Sequence, residues 1–147
     1  MPTPLRALKT GLLALPGAIV LTPFDLYRRH PHPEVAHPHR TVLTTAGGST
    51  HPDVTAHQRL RLSLACYHAN EKAAYEAAVA LYDTLTTTFG PPGSETNTWT
   101  LTTEDVTPLP CYQVRDILAS PPTLVGALPD EQLVLATVTL TLRLSPL

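Results

Sequence analysis

Residues 59–88, RLRLSLACYHANEKAAYEAAVALYDTLTTT, change their apolar period at one point, and that change decides the fold. From Arg59 to Tyr67 the pattern alternates: Leu60, Leu62, Leu64 and Cys66 share one side, while Arg59, Arg61 and Ser63 share the other. A period of two is that of a pleated strand with one buried face and one face open to solvent or a partner. At Asn70 the period lengthens. Asn70 is a good N-cap, because its side chain can accept from a first-turn N–H, and Glu71 places negative charge where the helix dipole favours it. Ala74, Ala77, Ala78, Leu81 and Leu85 then fall on one stripe of a helix running to about residue 88. Its alanines allow close approach to a sheet, and Phe89-Gly-Pro-Pro-Gly93 ends it.

Toward the C-terminus the clearest strand is the last. Val134, Ala136, Val138, Leu140, Leu142 and Leu144 alternate with Thr137, Thr139, Thr141 and Arg143. Trp99–Leu101 and Tyr112–Leu118 read as two further strands, separated by a loop holding Pro108 and Pro110. Pro121-Pro122 opens a predicted loop that continues to Pro129-Asp130.

Toward the N-terminus, Leu5, Leu8, Leu12 and Leu15, with Ala7 and Gly11 alongside, predict a helix over residues 4–15, opened by Pro4 and stopped by Pro16-Gly17. Ala18–Leu21 is a short apolar run read as a first strand ending at Pro23. Residues 28–40, RRHPHPEVAHPHR, follow neither period and predict an extended, polyproline-like arm. Thr41–Thr45 is β-rich, and Gly47-Gly48 reads as the tight turn closing it. The order is helix, three strands, helix, then two or three strands. It specifies one α+β domain over residues 1–147: a mainly antiparallel sheet packed against two helices, with the His/Pro-rich segment as an extended loop.

Composition narrows the function classes. The chain of 147 residues has 43% apolar and 15% charged residues, so little charge is available to cover a lone surface. Ten Lys and Arg against twelve Asp and Glu leave no basic excess to neutralise a phosphate backbone, which argues against nucleic-acid binding as the main task. Sixteen prolines stiffen the loops. Cys66 and Cys111 lack a CxxC spacing and are expected as two reduced thiols. Arg6 and Lys9 before the apolar run Gly11–Leu21 imitate a secretory leader, but Pro16-Gly17 interrupts it and no A-x-A site follows, so helix, turn and strand are expected there. The run is also shorter than the roughly 20 apolar residues a membrane span needs.

The search for chemistry finds no site. His30, His32, His37 and His39 lie within ten residues, but alternating prolines hold them apart and Glu34 stands alone, so no metal spacing is completed. Cys66 or Cys111 can be paired on paper with His57 or His68; Cys66, however, alternates with leucines on an apolar face, where a thiol is inert. Gly47-Gly48 lacks any phosphate-loop companion residues. No catalytic, cofactor-binding or metal residue is predicted, and the chain is expected not to be an enzyme.

The succession "RTVLTTAGG" (40–48), "RLRLSLACYHANEKAAYEAAVALYDTL" (59–85) and "YQVRDILASPPTLVGALPDEQLVLATVTLTLRL" (112–144) resembles the tail-terminator, or tail-completion, proteins of long-tailed bacteriophages. The likeness spans roughly residues 5–144, is strongest over 59–86, and rests on patterns of elements, not on invariant residues; the arm at 28–40 is no hallmark of that family. It implies a structural virion protein made in the host cytoplasm and placed in the tail or neck. Such a protein forms a homo-oligomeric ring, expected as a hexamer, on the last ring of tail-tube protein. It stops tube polymerisation and offers a new face to the head–tail connector protein. No cofactor, no membrane and no sequence-specific nucleic acid enters that role. The alternatives are a neck or head-completion protein bridging portal and tail, or a metal-binding or protein-binding module.

Overall fold

The computed structural model describes residues 4–15, 24–26, 40–48, 58–128 and 133–147. The elements are α1 (Pro4–Ala14), β1 (Phe24–Leu26), β2 (Arg40–Gly48), β3 (Gln58–His68), α2 (Glu71–Phe89), β4 (Thr98–Thr102), β5 (Pro110–Ala119), β6 (Thr123–Leu128) and β7 (Leu133–Pro146). The strands form one seven-stranded sheet in the order β1-β2-β3-β7-β5-β4, with β6 also pairing β7. Every neighbouring pair is antiparallel except β1 with β2. The α+β class and the two helices packed on a mainly antiparallel sheet are as the apolar periods predict.

The alternations sort the core. Leu60, Leu62, Leu64 and Cys66 of β3 and Val134, Ala136, Val138, Leu140, Leu142 and Leu144 of β7 are buried together with Ala74, Ala78, Leu81, Leu85 and Phe89 of α2 and Ala7, Leu8 and Leu12 of α1. Both helices therefore share one side of the sheet. Each buried Leu stabilises the fold by roughly 1.5–3 kcal/mol relative to exposure, and this shared layer is where most of that burial lies. On the opposite face Ala65 and Tyr67 form a small separate buried cluster, with Leu135 packed against it.

Local chemistry fixes the helix ends. The Asn70 side chain accepts from the Ala73 N–H at 2.8 Å, as predicted for an N-cap. At the other end Gly90 has φ +64°, and its N–H donates to the Thr86 carbonyl at 2.9 Å. The Phe89 carbonyl accepts from the hydroxyls of Ser94 and Thr96, so the last turn is satisfied by the loop that follows it. A Cβ at Gly11 would stand 2.5 Å from the Trp99 ring, so the missing side chain is what lets α1 settle on β4.

Four expectations need correction or placement. Gly47-Gly48 is not a turn: it continues β2, pairing Arg61 and Leu60 after a bulge between Thr45 and Gly47, because one extra residue absorbs the register shift there. The predicted loop from Pro121 to Pro129 contains β6. The short strand of this region is β1, which begins at Phe24, past the Pro23 at which the sequence ends its first strand; residues 18–21 lie outside the described residues. The arm at 28–40 does so too, except that Arg40 opens β2.

Candidate assembly surface

β7 is fourteen residues long and has two very different edges. β3 covers one edge continuously from Gln58↔Leu144 to His68↔Val134. The other edge is shared. β5 takes it from Tyr112↔Pro146 to Ala119↔Leu140, and β6 takes it from Thr123↔Thr137 to Leu128↔Leu133. Pro121 and Pro122 stand between them and have no N–H to give the ladder, although the Ser120 N–H still donates to Thr139 at 2.8 Å.

β4 pairs β5 only as far as Thr98↔Arg115. Beyond it, a register shift between Arg115 and Leu118 bends β5, with Asp116 at φ +53°. Asn97, only 6% exposed, finishes the edge at this point. Its carbonyl oxygen accepts from the Ile117 N–H at 2.7 Å, and its amide donates to the Ile117 carbonyl at 2.8 Å and to the Gly90 carbonyl at 3.1 Å. One carboxamide thus serves as the missing strand partner for Ile117 and ties the end of α2 to β5.

Past Ile117, no strand among the described residues pairs the outer edge of β5 and β6. Leu118 (53%), Leu124 (40%) and Val125 (60%) are exposed along it. β6 itself, TLVGAL, has neither charge nor proline, which are the usual guards on a free edge. Gly126, at φ +139°, lies in a conformation that side chains rarely adopt, where the register shifts by a bulge. Beside this edge a groove of about 320 Å³ opens between the end of α2 and β5, lined by Tyr82, Leu85, Pro91, Ile117 and Leu118 among others. Among the described residues the surface offers unpaired strand backbone, apolar side chains and an adjoining apolar groove, which is the chemistry of strand addition.

Of the cysteines and histidines that the sequence offers for chemistry, the described ones lie on β3 and β5. Cys66 is buried in the helix-side core, and His68 ends β3 two residues before the N-cap. Cys111 is buried on β5, and its thiol donates to the Leu101 carbonyl at 3.3 Å. Neither cysteine forms a disulfide. Burial pushes the Cys111 thiol up, away from the reactive thiolate; burial and then the neighbouring Cys111 push Tyr112 up as well. His30, His32, His37, His39, Glu34 and His57 lie outside the described residues. Among the described residues no three His, Cys, Asp or Glu side chains gather as metal ligands, and no helix is long and apolar enough to cross a membrane. The Glu104 carboxylate accepts from the Thr10 hydroxyl at 2.6 Å and lies 3.8 Å from Arg6, an exposed tie between α1 and the loop after β4.

Sequence inspection missed this surface. TLVGAL is too short and too evenly apolar to show a period of two, and its flanking prolines point to a loop. Comparison with family models and with curated proteins returns no match.

Proposed function

We propose that the chain is a structural subunit of a bacteriophage tail, a tail terminator that closes into a ring on the tube, stops its polymerisation and forms the joint to the head connector. The observation that carries this proposal is the unguarded β6 edge, with Leu124 and Val125 exposed beside the apolar groove. A monomer leaves such an edge at the risk of uncontrolled pairing, whereas a ring subunit consumes it. Contact of this edge with a different surface of the next subunit is heterologous, and heterologous contacts close into rings when the rotation allows. The resemblance of the element succession to tail terminators supplies the setting.

The test is to polymerise the cognate tail-tube protein with and without this chain and to measure tube lengths by negative-stain microscopy. Capping predicts shorter tubes with density at one end. Tubes of unchanged length, with no bound chain after sedimentation, contradict the proposal.

A further inference from the structure

The face of the sheet away from the helices carries a cationic row that local sequence does not reveal. Arg59 of β3 lies directly opposite Arg143 of β7, and Arg143 lies directly opposite Arg115 of β5. Three guanidinium side chains therefore start from adjacent strands about 4.8 Å apart, on one line across the sheet. Arg61, paired with Thr141, adds a fourth on the same face. All four are exposed, and they are four of the chain's ten Lys and Arg residues. Among the described residues Asp116 is the acid in ion-pair contact with the row, 3.4 Å from Arg143. Like charges directly opposite on a sheet are destabilising, so this arrangement works against the fold that carries it.

We infer that this face binds the phosphate backbone of a nucleic-acid duplex without reading its sequence. The side chains beside the arginines decide the partner. Thr98 pairs Arg115, Thr141 pairs Arg61, and Gln113 pairs Ser145, so hydroxyl and amide groups fill the spaces between the charges. Gln113 is held in place, its amide donating to Thr98 at 2.5 Å and its carbonyl oxygen accepting from Thr100 at 3.0 Å. Arginines with hydroxyl and amide donors make up the contact set used for phosphates. A protein partner is recognised through a central cluster of aromatic or aliphatic anchors. Among the described residues the exposed large apolar side chain beside the row is Leu118, opposite Thr141 at its margin. Single strands bind through stacked aromatic side chains, and among the described residues the aromatic of this face, Tyr67, is buried. A polar hollow of about 320 Å³ at one end of the row is lined by Ser94, Glu95, Thr98, Arg115 and Asp116 among others, and its two carboxylates mark where the cationic surface ends. The net charge of −2 gives no sign of this row, because a charge summed over the chain does not record which strands lie side by side. The inference stands on this face alone: the ring can fail and the face still bind, or the reverse.

The experiment measures binding of two unrelated 24-base-pair DNA duplexes by fluorescence anisotropy, using the full chain across a salt series. Equal affinity for both duplexes is expected, with log K falling against log salt at a slope of about −3, as for three to four phosphates. Arg59→Ser with Arg115→Ser should weaken binding at least about tenfold and cut that slope by about half. The same double variant should melt no lower than the parent at low salt, because it relieves like-charge pairs. Lys72→Ala, on the exposed side of α2, should leave binding unchanged. Absence of binding at low salt, a slope unmoved by the double variant, or a strong preference for one duplex would overturn the inference. So would displacement of the duplex by an equal charge of poly-glutamate, which would point to an acidic protein surface instead.

Discussion

The two edges of β7 are built by opposite rules. Against β3 the ladder runs through eleven residue pairs without a shift, and the alternating side chains keep Leu62, Leu64, Val138 and Leu140 wholly buried. Against β5 and β6 the ladder shifts at Asp116–Ile117, stops at Pro121-Pro122 and shifts again near Val125. One strand thus has one seam that maximises burial and one that gives up pairing to present apolar surface. The difference shows where the stability of this fold resides and where contact is offered.

Breaking the continuous seam should have the largest effect. Leu64→Ala removes a fully buried side chain between the sheet and the helix layer, and a loss of about 2–5 kcal/mol is expected in denaturant unfolding. A loss under about 1 kcal/mol would mean that this seam does not hold the core. Next comes the anchor of the interrupted seam. Asn97→Ala leaves the Ile117 N–H and two carbonyls without their partner, a cost of about 1–3 kcal/mol by the same measurement. Asn97→Asp should fare little better, because a carboxylate can accept from Ile117 but cannot donate to the two carbonyls.

The pH dependence sharpens the contrast, since Cys111 and Tyr112 both lie on β5. Their pKa values are raised by burial, so the unfolded chain ionises first, from the ordinary values of 9.0 and 10.0. The unfolded state then binds fewer protons, and stability falls with rising pH. Their contribution should be intact below about pH 9 and decline progressively above it, as read from unfolding midpoints; Cys111→Ser should flatten the first part of that decline. The smallest effect on folding is expected at the open edge. Val125→Lys, at a side chain 60% exposed, should change stability by no more than about 0.5 kcal/mol while guarding the strand against pairing.

How much of this was legible depends on whether the signal is local. The Leu60–Cys66 alternation, the Asn70 cap, the Ala74–Leu85 stripe and the final strand each follow from neighbours within a few residues, and each stands where the sequence places it. The bulge at Asp116 and the role of Asn97 depend on a contact twenty residues along the chain, which no local period records. Gly47-Gly48 reads as a turn because glycine pairs usually are, but pairing with Arg61 and Leu60 overrides that preference. Alternation alone turns Arg59, Arg61 and Arg143 outward. Their alignment with Arg115 comes from the register of three strands, which the sequence does not state.

The most direct test of the central claim, that the β6 edge is an assembly surface, is the native mass by light scattering of the parent chain and of Val125→Lys at equal concentration. The account predicts a closed oligomer for the parent, near six subunits by the family resemblance, and a monomer of unchanged fold for the variant. A variant that assembles as the parent does, or a parent that stays monomeric at every concentration and beside tail-tube protein, would contradict it.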